Sequence, residues 1–233
     1  MSSQLKKKNA LSTKMFYILK YVKINMVINF YVMRMSDRWF DKRYGTDTWH
    51  QYELNKKYTK FNPYSTYPNN SKTQPSLIAL FQNLMRNITI PENSVFLDVG
   101  CGTGLITLLA STYRFKKIIG IEISKELCAI ARKNDKIFKK TFKNSTEISI
   151  ITTDARRYQI PDDINFIYCF NPFNDIVLFK FISNLVKSYK SKPRKITFFY
   201  VNPVYRHVIE YFHIFKEKKE SSFRSIGNLI YST

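Results

Sequence analysis

The 233-residue chain is short of the residues from which metal centres and disulfide frameworks are built. Its three cysteines, Cys101, Cys128 and Cys169, are odd in number and widely spaced, which fits neither a disulfide framework nor a CxxC-type metal site. Only three histidines accompany them (His50, His207 and His213), with no HExxH pairing, so no metal cofactor is expected. Unpaired thiols imply a reducing intracellular compartment, and a cytoplasmic location is the expectation. Low-complexity tracts and solenoid periods are lacking too. So are long apolar runs: the stretch from Met15 to Met33 is broken by Lys20 and Lys23, and its charge-free part, Ile24 to Met33, is too short to span a bilayer. No small-residue cleavage site follows it.

Acidic residues are scarce, 17 against 38 lysines and arginines, giving a formal charge of +21. Such a balance suits an acidic partner, whether nucleic acid, an anionic membrane surface or an acidic protein; it also suits a lysine- and asparagine-rich composition produced by A/T-rich coding sequence. Both readings stay open. Residues 1–36 hold seven basic side chains and no acidic one, which marks a basic extension with an apolar, aromatic middle. It reads first as a helix packing on the domain; the alternative is a segment lying on RNA or on a membrane surface without spanning it.

From 37 to 74 the chain is polar and turn-rich (Asn62-Pro63, Tyr67-Pro68, Asn69-Asn70-Ser71), a connecting segment and candidate lid. The remainder, 75–233, forms one catalytic domain. Pro75 opens a helix that carries Leu77, Ile78, Leu80, Phe81, Leu84 and Met85 at helical spacing up to Pro91. Strands follow at Val95–Val99, Lys117–Glu122, Ile148–Thr152, Phe166–Phe170 and Ile196–Val201, alternating with helices over 103–113, 124–138, 174–188 and 205–211. Apolar runs at 213–216 and 226–231 predict a closing antiparallel hairpin. The fold class is therefore α/β: a Rossmann-like, seven-stranded, mostly parallel sheet with helices on both faces, a C-terminal antiparallel hairpin and a basic N-terminal extension. Composition permits this, since hydrophobic residues make up 44% of the chain, too many for intrinsic disorder.

One segment carries the chemistry. Val95-Phe-Leu-Asp98-Val-Gly100-Cys101-Gly102-Thr-Gly104 is a buried strand running into a glycine-rich turn at a helix start, where backbone approaches a ligand closely and free N–H groups are presented. Leu105 occupies the place of the third glycine of a GxGxxG dinucleotide fingerprint. The D-x-G-x-G-x-G form resembles motif I of the class I S-adenosylmethionine-dependent methyltransferases. That resemblance implies S-adenosyl-L-methionine as cofactor, with Asp98, Gly100, Cys101, Gly102 and Gly104 around its methionine portion. Glu122, an acidic residue ending the second strand, matches the family's ribose ligand, and Asp154 in Thr153-Asp154-Ala155 resembles the adenine-binding position. Ser124 is placed to cap the next helix.

The fourth strand ends in Asn171-Pro172-Phe173, similar to the N-P-P-Y loop of enzymes that methylate amino nitrogens; by that likeness Asn171 accepts hydrogen bonds from the target amine and Pro172 and Phe173 complete the catalytic loop. Phe173 replaces the second proline and no tyrosine follows, so the acceptor does not transfer from the likeness. Asp41-Lys-Arg-Tyr44-Gly45-Thr-Asp47-Thr48, the stretch from Tyr67 to Pro75 and Tyr200 to His207 resemble a sparsely characterised bacterial group of these enzymes. By position Tyr67 and Thr73 touch the donor. Methylation of a nitrogen on a protein or nucleic acid is the expected activity, small amines remaining open as substrates. A non-catalytic donor-binding scaffold, or a basic nucleic-acid-binding protein, is the competing class. Fold alone does not choose the acceptor.

Overall fold

The computed structural model describes residues 35, 38–49, 78–143, 146–223 and 226–233. Helix α1 (Ile78–Met85) leads into β1 (Val95–Val99), α2 (Leu105–Ala110), β2 (Lys117–Glu122), α3 (Lys125–Phe142), β3 (Glu147–Thr152), β4 (Ile164–Phe170), α4 (Asp175–Ser191), β5 (Thr197–Val201), α5 (Arg206–Tyr211), β6 (Glu217–Phe223) and β7 (Ile226–Ser232). The strands form one sheet in the order β3-β2-β1-β4-β5-β7-β6. Strands β1 to β5 run parallel, and β7 runs antiparallel to both β5 and β6. The order reverses between β2-β1 and β4, so a crevice opens at their carboxyl ends, the usual place for a ligand in a doubly wound sheet.

Two apolar layers flank the sheet. Leu97, Ile167, Tyr200 and Phe198 face α4 and α5 through Phe181, Leu185 and Val208, while Phe96, Tyr168 and Phe199 face α1 and α2 through Phe81 and Leu108. Strands covered on both sides need no polar alternation, and every residue of β1 and β5 is buried. The close fit of the β1–α2 turn against β2 depends on Gly120. A Cβ there would lie 2.8 Å from Cys101 Sγ and 2.9 Å from Thr107 Cγ2.

Three local outcomes differ from the sequence reading. Residues 38–44 are helical rather than loop. Phe40 and Tyr44 stand one turn apart on Phe138 of α3, Phe40 stacked on its ring and Tyr44 edge-on to it, at centroid distances of 5.6 and 4.9 Å, so aromatic burial supplies what the polar composition hid. The first hairpin strand is Glu217–Phe223, not 213–216; it is an exposed edge paired backbone to backbone with β7, and His213 takes a left-handed φ of 50° that breaks the strand expected there. Finally, α2 is six residues, shorter than the predicted 103–113. Pro75 and Leu77, like the basic extension apart from Met35, lie outside the described residues. No helix among those described is long and apolar enough to cross a membrane.

Candidate active site

The carboxyl ends of β1, β2 and β4 converge on a cavity lined by Gly100, Glu122, Asp154, Arg156, Pro172 and Phe173, among others. Its floor is the turn after β1. Gly100, Gly102 and Gly104 all adopt positive φ (75°, 54° and 93°), a region closed to most side chains. A Cβ on Gly100 would approach Pro172 Cβ to 2.8 Å, so the glycine also lets the first and fourth strand ends touch. Gly100 and Cys101 donate their N–H groups to the Ile121 carbonyl, at 2.9 and 3.0 Å, tying the turn to β2.

Asp98 sits at the end of β1, 2% exposed, with Oδ2 buried and without a hydrogen-bond partner. Burial, and secondly the charge of Glu122, push its carboxyl well above the usual range. An ionised carboxylate so placed is costly unless a cation meets it. Glu122 is anchored differently: Oε1 accepts from the Ile123 and Ser124 N–H groups (2.8 and 3.0 Å) and Oε2 from the Gly102 N–H (3.1 Å). Burial raises its pKa while these three donors pull it down. A carboxylate offers about four acceptor positions, so about one remains on Oε2. Ser124 caps α3 by accepting from the Leu127 N–H at 3.2 Å, as its position predicts.

Asp154 is held by Arg156, whose Nε donates to both carboxylate oxygens and whose backbone N–H donates to Oδ1. Burial works against the charge, but these contacts outweigh it and lower the pKa. The arginine is a neighbour that the sequence reading did not single out. Asn171 closes β4 in a left-handed conformation (φ 35°) and is 4% exposed. Its Oδ1 accepts from the Tyr200 hydroxyl at 2.9 Å, and its Nδ2 is buried without a partner. The oxygen expected to face the target amine is thus engaged by β5, and the unengaged end is a donor.

The described N-terminal residues buttress this turn. Asp41 accepts from the hydroxyls of Thr46 and Thr48 and from the N–H groups of Thr48 and Trp49, which shapes residues 46–49. The Thr48 carbonyl in turn accepts from the Thr103 hydroxyl at 2.9 Å, and Asn134 Nδ2 donates to the carbonyls of Asp47 and Thr103. Asp41 and Thr48 therefore hold the glycine turn from outside the sheet. Tyr67 and Thr73 lie outside the described residues. Cys101, Cys128 and Cys169 are all buried and free, and burial, before the nearby Asp98, pushes the Cys101 thiol up, away from nucleophilic use. Among the described residues no group of histidines, cysteines and carboxylates is arranged to hold a metal.

Known proteins resemble this chain in sequence and in fold. Residues 50–156 match the family model described as "Histone methylation protein DOT1". Over 58 residues the chain is 34% identical to a protein assigned as protein arginine N-methyltransferase 3 in Arabidopsis thaliana, covering 24% of this chain and 10% of that one. Over 71 residues it is 31% identical to one assigned as a protein N5-glutamine methyltransferase in Methanocaldococcus jannaschii, covering 30% of this chain and 33% of that one. The family match, these likenesses and the fold are those of the class I S-adenosylmethionine-dependent methyltransferases. It spans about a tenth and a third of the lengths of those two relatives. The fold agrees: an RNA methyltransferase from Salinibacter ruber, solved with S-adenosylhomocysteine, superposes with a TM-score of 0.51 at 15% identity over 68% of this chain and 92% of that one. The narrower bacterial likeness rests on the sequence stretches alone.

S-adenosyl-L-methionine is the cofactor of this methyltransferase family, and the site fits it. A buried acceptor without a partner at Asp98 suits a cationic amino acid end, and the glycine cradle leaves room for a ligand beside the backbone. Glu122 keeps acceptor capacity at the ribose position.

Proposed function

We propose that this protein transfers the methyl group of S-adenosyl-L-methionine to a nitrogen of a protein side chain. The observation that carries the reading is the unpartnered, buried Asp98 Oδ2 beside a left-handed glycine turn and a second carboxylate, Glu122, one strand away. Protein acceptors are favoured by the names of the sequence relatives, an arginine and a glutamine methyltransferase, and of the matching family model.

The bound donor supplies a methyl carbon already activated by a sulfonium. What remains for the chain is to bind, align and exclude water. Asp98 pairs with the cationic amino end, Glu122 accepts from a ribose hydroxyl through Oε2, and Asp154, steadied by Arg156, takes the adenine end. Tyr67 and Thr73 are further donor contacts. Gly100 against Pro172 brings the donor turn next to the acceptor loop, where Asn171, Pro172 and Phe173 meet the substrate. A neutral nitrogen needs only its leaving proton accepted, which water can do. Residues 1–36 serve as a basic extension toward an anionic partner, 37–74 as the lead-in and candidate lid, and 75–233 as the catalytic domain.

The test is transfer from radiolabelled S-adenosylmethionine into fractionated cell extract. Label is expected in protein and should survive mild base, as N-methyl groups do. A protein that binds S-adenosylhomocysteine yet labels nothing is a scaffold, and label confined to nucleic acid overturns the protein acceptor.

A further inference from the structure

Two buried polar atoms lie unpaired at the ends of adjacent strands, an acceptor on β1 (Asp98 Oδ2) and a donor on β4 (Asn171 Nδ2). The first is accounted for by the donor substrate. Leaving the second unmet is costly in the folded protein, so its orientation calls for a cause. Tyr200, at the penultimate position of β5, supplies it. Its buried hydroxyl accepts from the Tyr205 N–H at 3.4 Å and has one proton to give, and the acceptor for that proton is Asn171 Oδ1. Turning the amide over would leave the tyrosine proton and the Asn171 oxygen both unmet, instead of the NH2 group alone. Burial also pushes the Tyr200 hydroxyl well above its ordinary pKa, so the proton stays on it throughout the neutral range. Asn171 is fixed at its backbone too, by a positive φ and by the Pro172 ring packed at Gly100.

We propose that Tyr200 is a positioning residue that locks the Asn171 amide with its NH2 end free, so that the group methylated here is a carboxamide whose carbonyl oxygen Asn171 grips, rather than an alkylamine. This rests on the reading of the site as a methyltransferase centre with a protein acceptor. An N–H donor repels a protonated amine and competes for the lone pair with which a neutral amine must attack the methyl carbon, whereas a carboxamide presents an oxygen acceptor on the carbon that bears its nitrogen. The polarity of one side chain, set from the neighbouring strand, thereby discriminates between substrates.

The full-length protein, loaded with S-adenosylhomocysteine and labelled with 15N, tests this through the Asn171 side-chain NH2 resonance, identified by its loss in Asn171→Ala. Acetamide should shift that resonance saturably while ethylamine leaves it in place. Asn171→Asp, which exchanges the donor for a second acceptor, should abolish the acetamide response elsewhere in the site. Tyr200→Phe removes one oxygen and frees the amide to turn, so it should weaken acetamide at least tenfold while S-adenosylhomocysteine binds within threefold of wild type. A resonance that answers ethylamine instead, or answers no probe in loaded protein, overturns the proposal. So does an acetamide response that Tyr200→Phe leaves intact. Failure to load S-adenosylhomocysteine at all would instead strike the donor site itself, and the proposal with it.

Discussion

Replacing Asp98 by Asn should make the empty protein more stable and useless for donor binding. The carboxylate is 2% exposed, one oxygen has no partner, and Glu122 adds repulsion from the next strand. A buried acceptor left unsatisfied costs about 1 to 3 kcal/mol, and more when charged. Asparagine keeps the shape and drops the charge, so at pH 8 the variant should gain about 1 to 3 kcal/mol, or about 2 to 4 °C in Tm for each kcal/mol in a domain of this size. The sign with pH follows from linkage. Because the folded carboxyl titrates above its ordinary value of 3.8, the folded state holds a proton that the unfolded state has released. Wild-type stability should therefore fall as pH rises from about 4 through the raised folded value, with a slope of up to about 1.4 kcal/mol per pH unit, and the variant should lose that slope. Urea denaturation between pH 4.5 and 8.5 measures it. Donor affinity should drop more than about a hundredfold, since a buried cation would lose its partner at a cost of about 3 to 5 kcal/mol. A variant less stable than wild type at pH 8, or one that still binds the donor, would refute the assignment of Asp98.

Other expectations follow from the same geometry. Glu122→Ala removes a charge-assisted bond to the ribose and unties the N–H groups of Gly102, Ile123 and Ser124, so calorimetry should show donor binding weaker by about 1.5 to 3 kcal/mol together with a lower Tm. Gly100→Ala forces a side chain into φ 75° and a 2.8 Å contact with Pro172; chemical denaturation should register a loss of about 1 to 3 kcal/mol, whereas an unchanged midpoint would mean the turn relaxes freely. Deleting residues 1–36 should flatten the salt dependence of binding to a labelled anionic oligonucleotide by about 0.7 to 0.9 in log–log slope for each phosphate that the extension neutralises, with donor affinity unchanged. If that deletion instead prevents folding, the extension packs on the domain.

The part of the fold nearest the chemistry was also the most legible. Asp98, the glycine turn, Glu122 and the Ser124 cap lie on contiguous sequence whose buried strands and helix signals agree with one another. Edges were harder. Strand β6, Glu-Lys-Lys-Glu-Ser-Ser-Phe, is exposed along nearly its whole length and owes its extension to pairing with β7, so no hydrophobic pattern marks it. The helix over 38–44 depends on Phe138, almost a hundred residues on, and a polar local sequence cannot show that. Within the site, residue identity was legible and bonding was not. Glu122 was marked by its place at the end of the second strand, but not by the three backbone donors it receives from the turns it joins. Which end of the Asn171 amide is free depends on Tyr200, 29 residues later and brought alongside by the β4–β5 pairing.

The most direct test of the donor site is calorimetric titration of the whole protein with S-adenosylhomocysteine near pH 6, repeated in buffers of different ionisation enthalpy. One molecule should bind per chain, and binding should release protons, because the ligand's cationic amino group favours the ionised form of the Asp98 carboxyl, whose pKa burial raises in the empty protein. Affinity should then rise with pH. Absence of saturable heat, or binding with no proton release and no dependence on pH, would contradict a donor site built around Asp98.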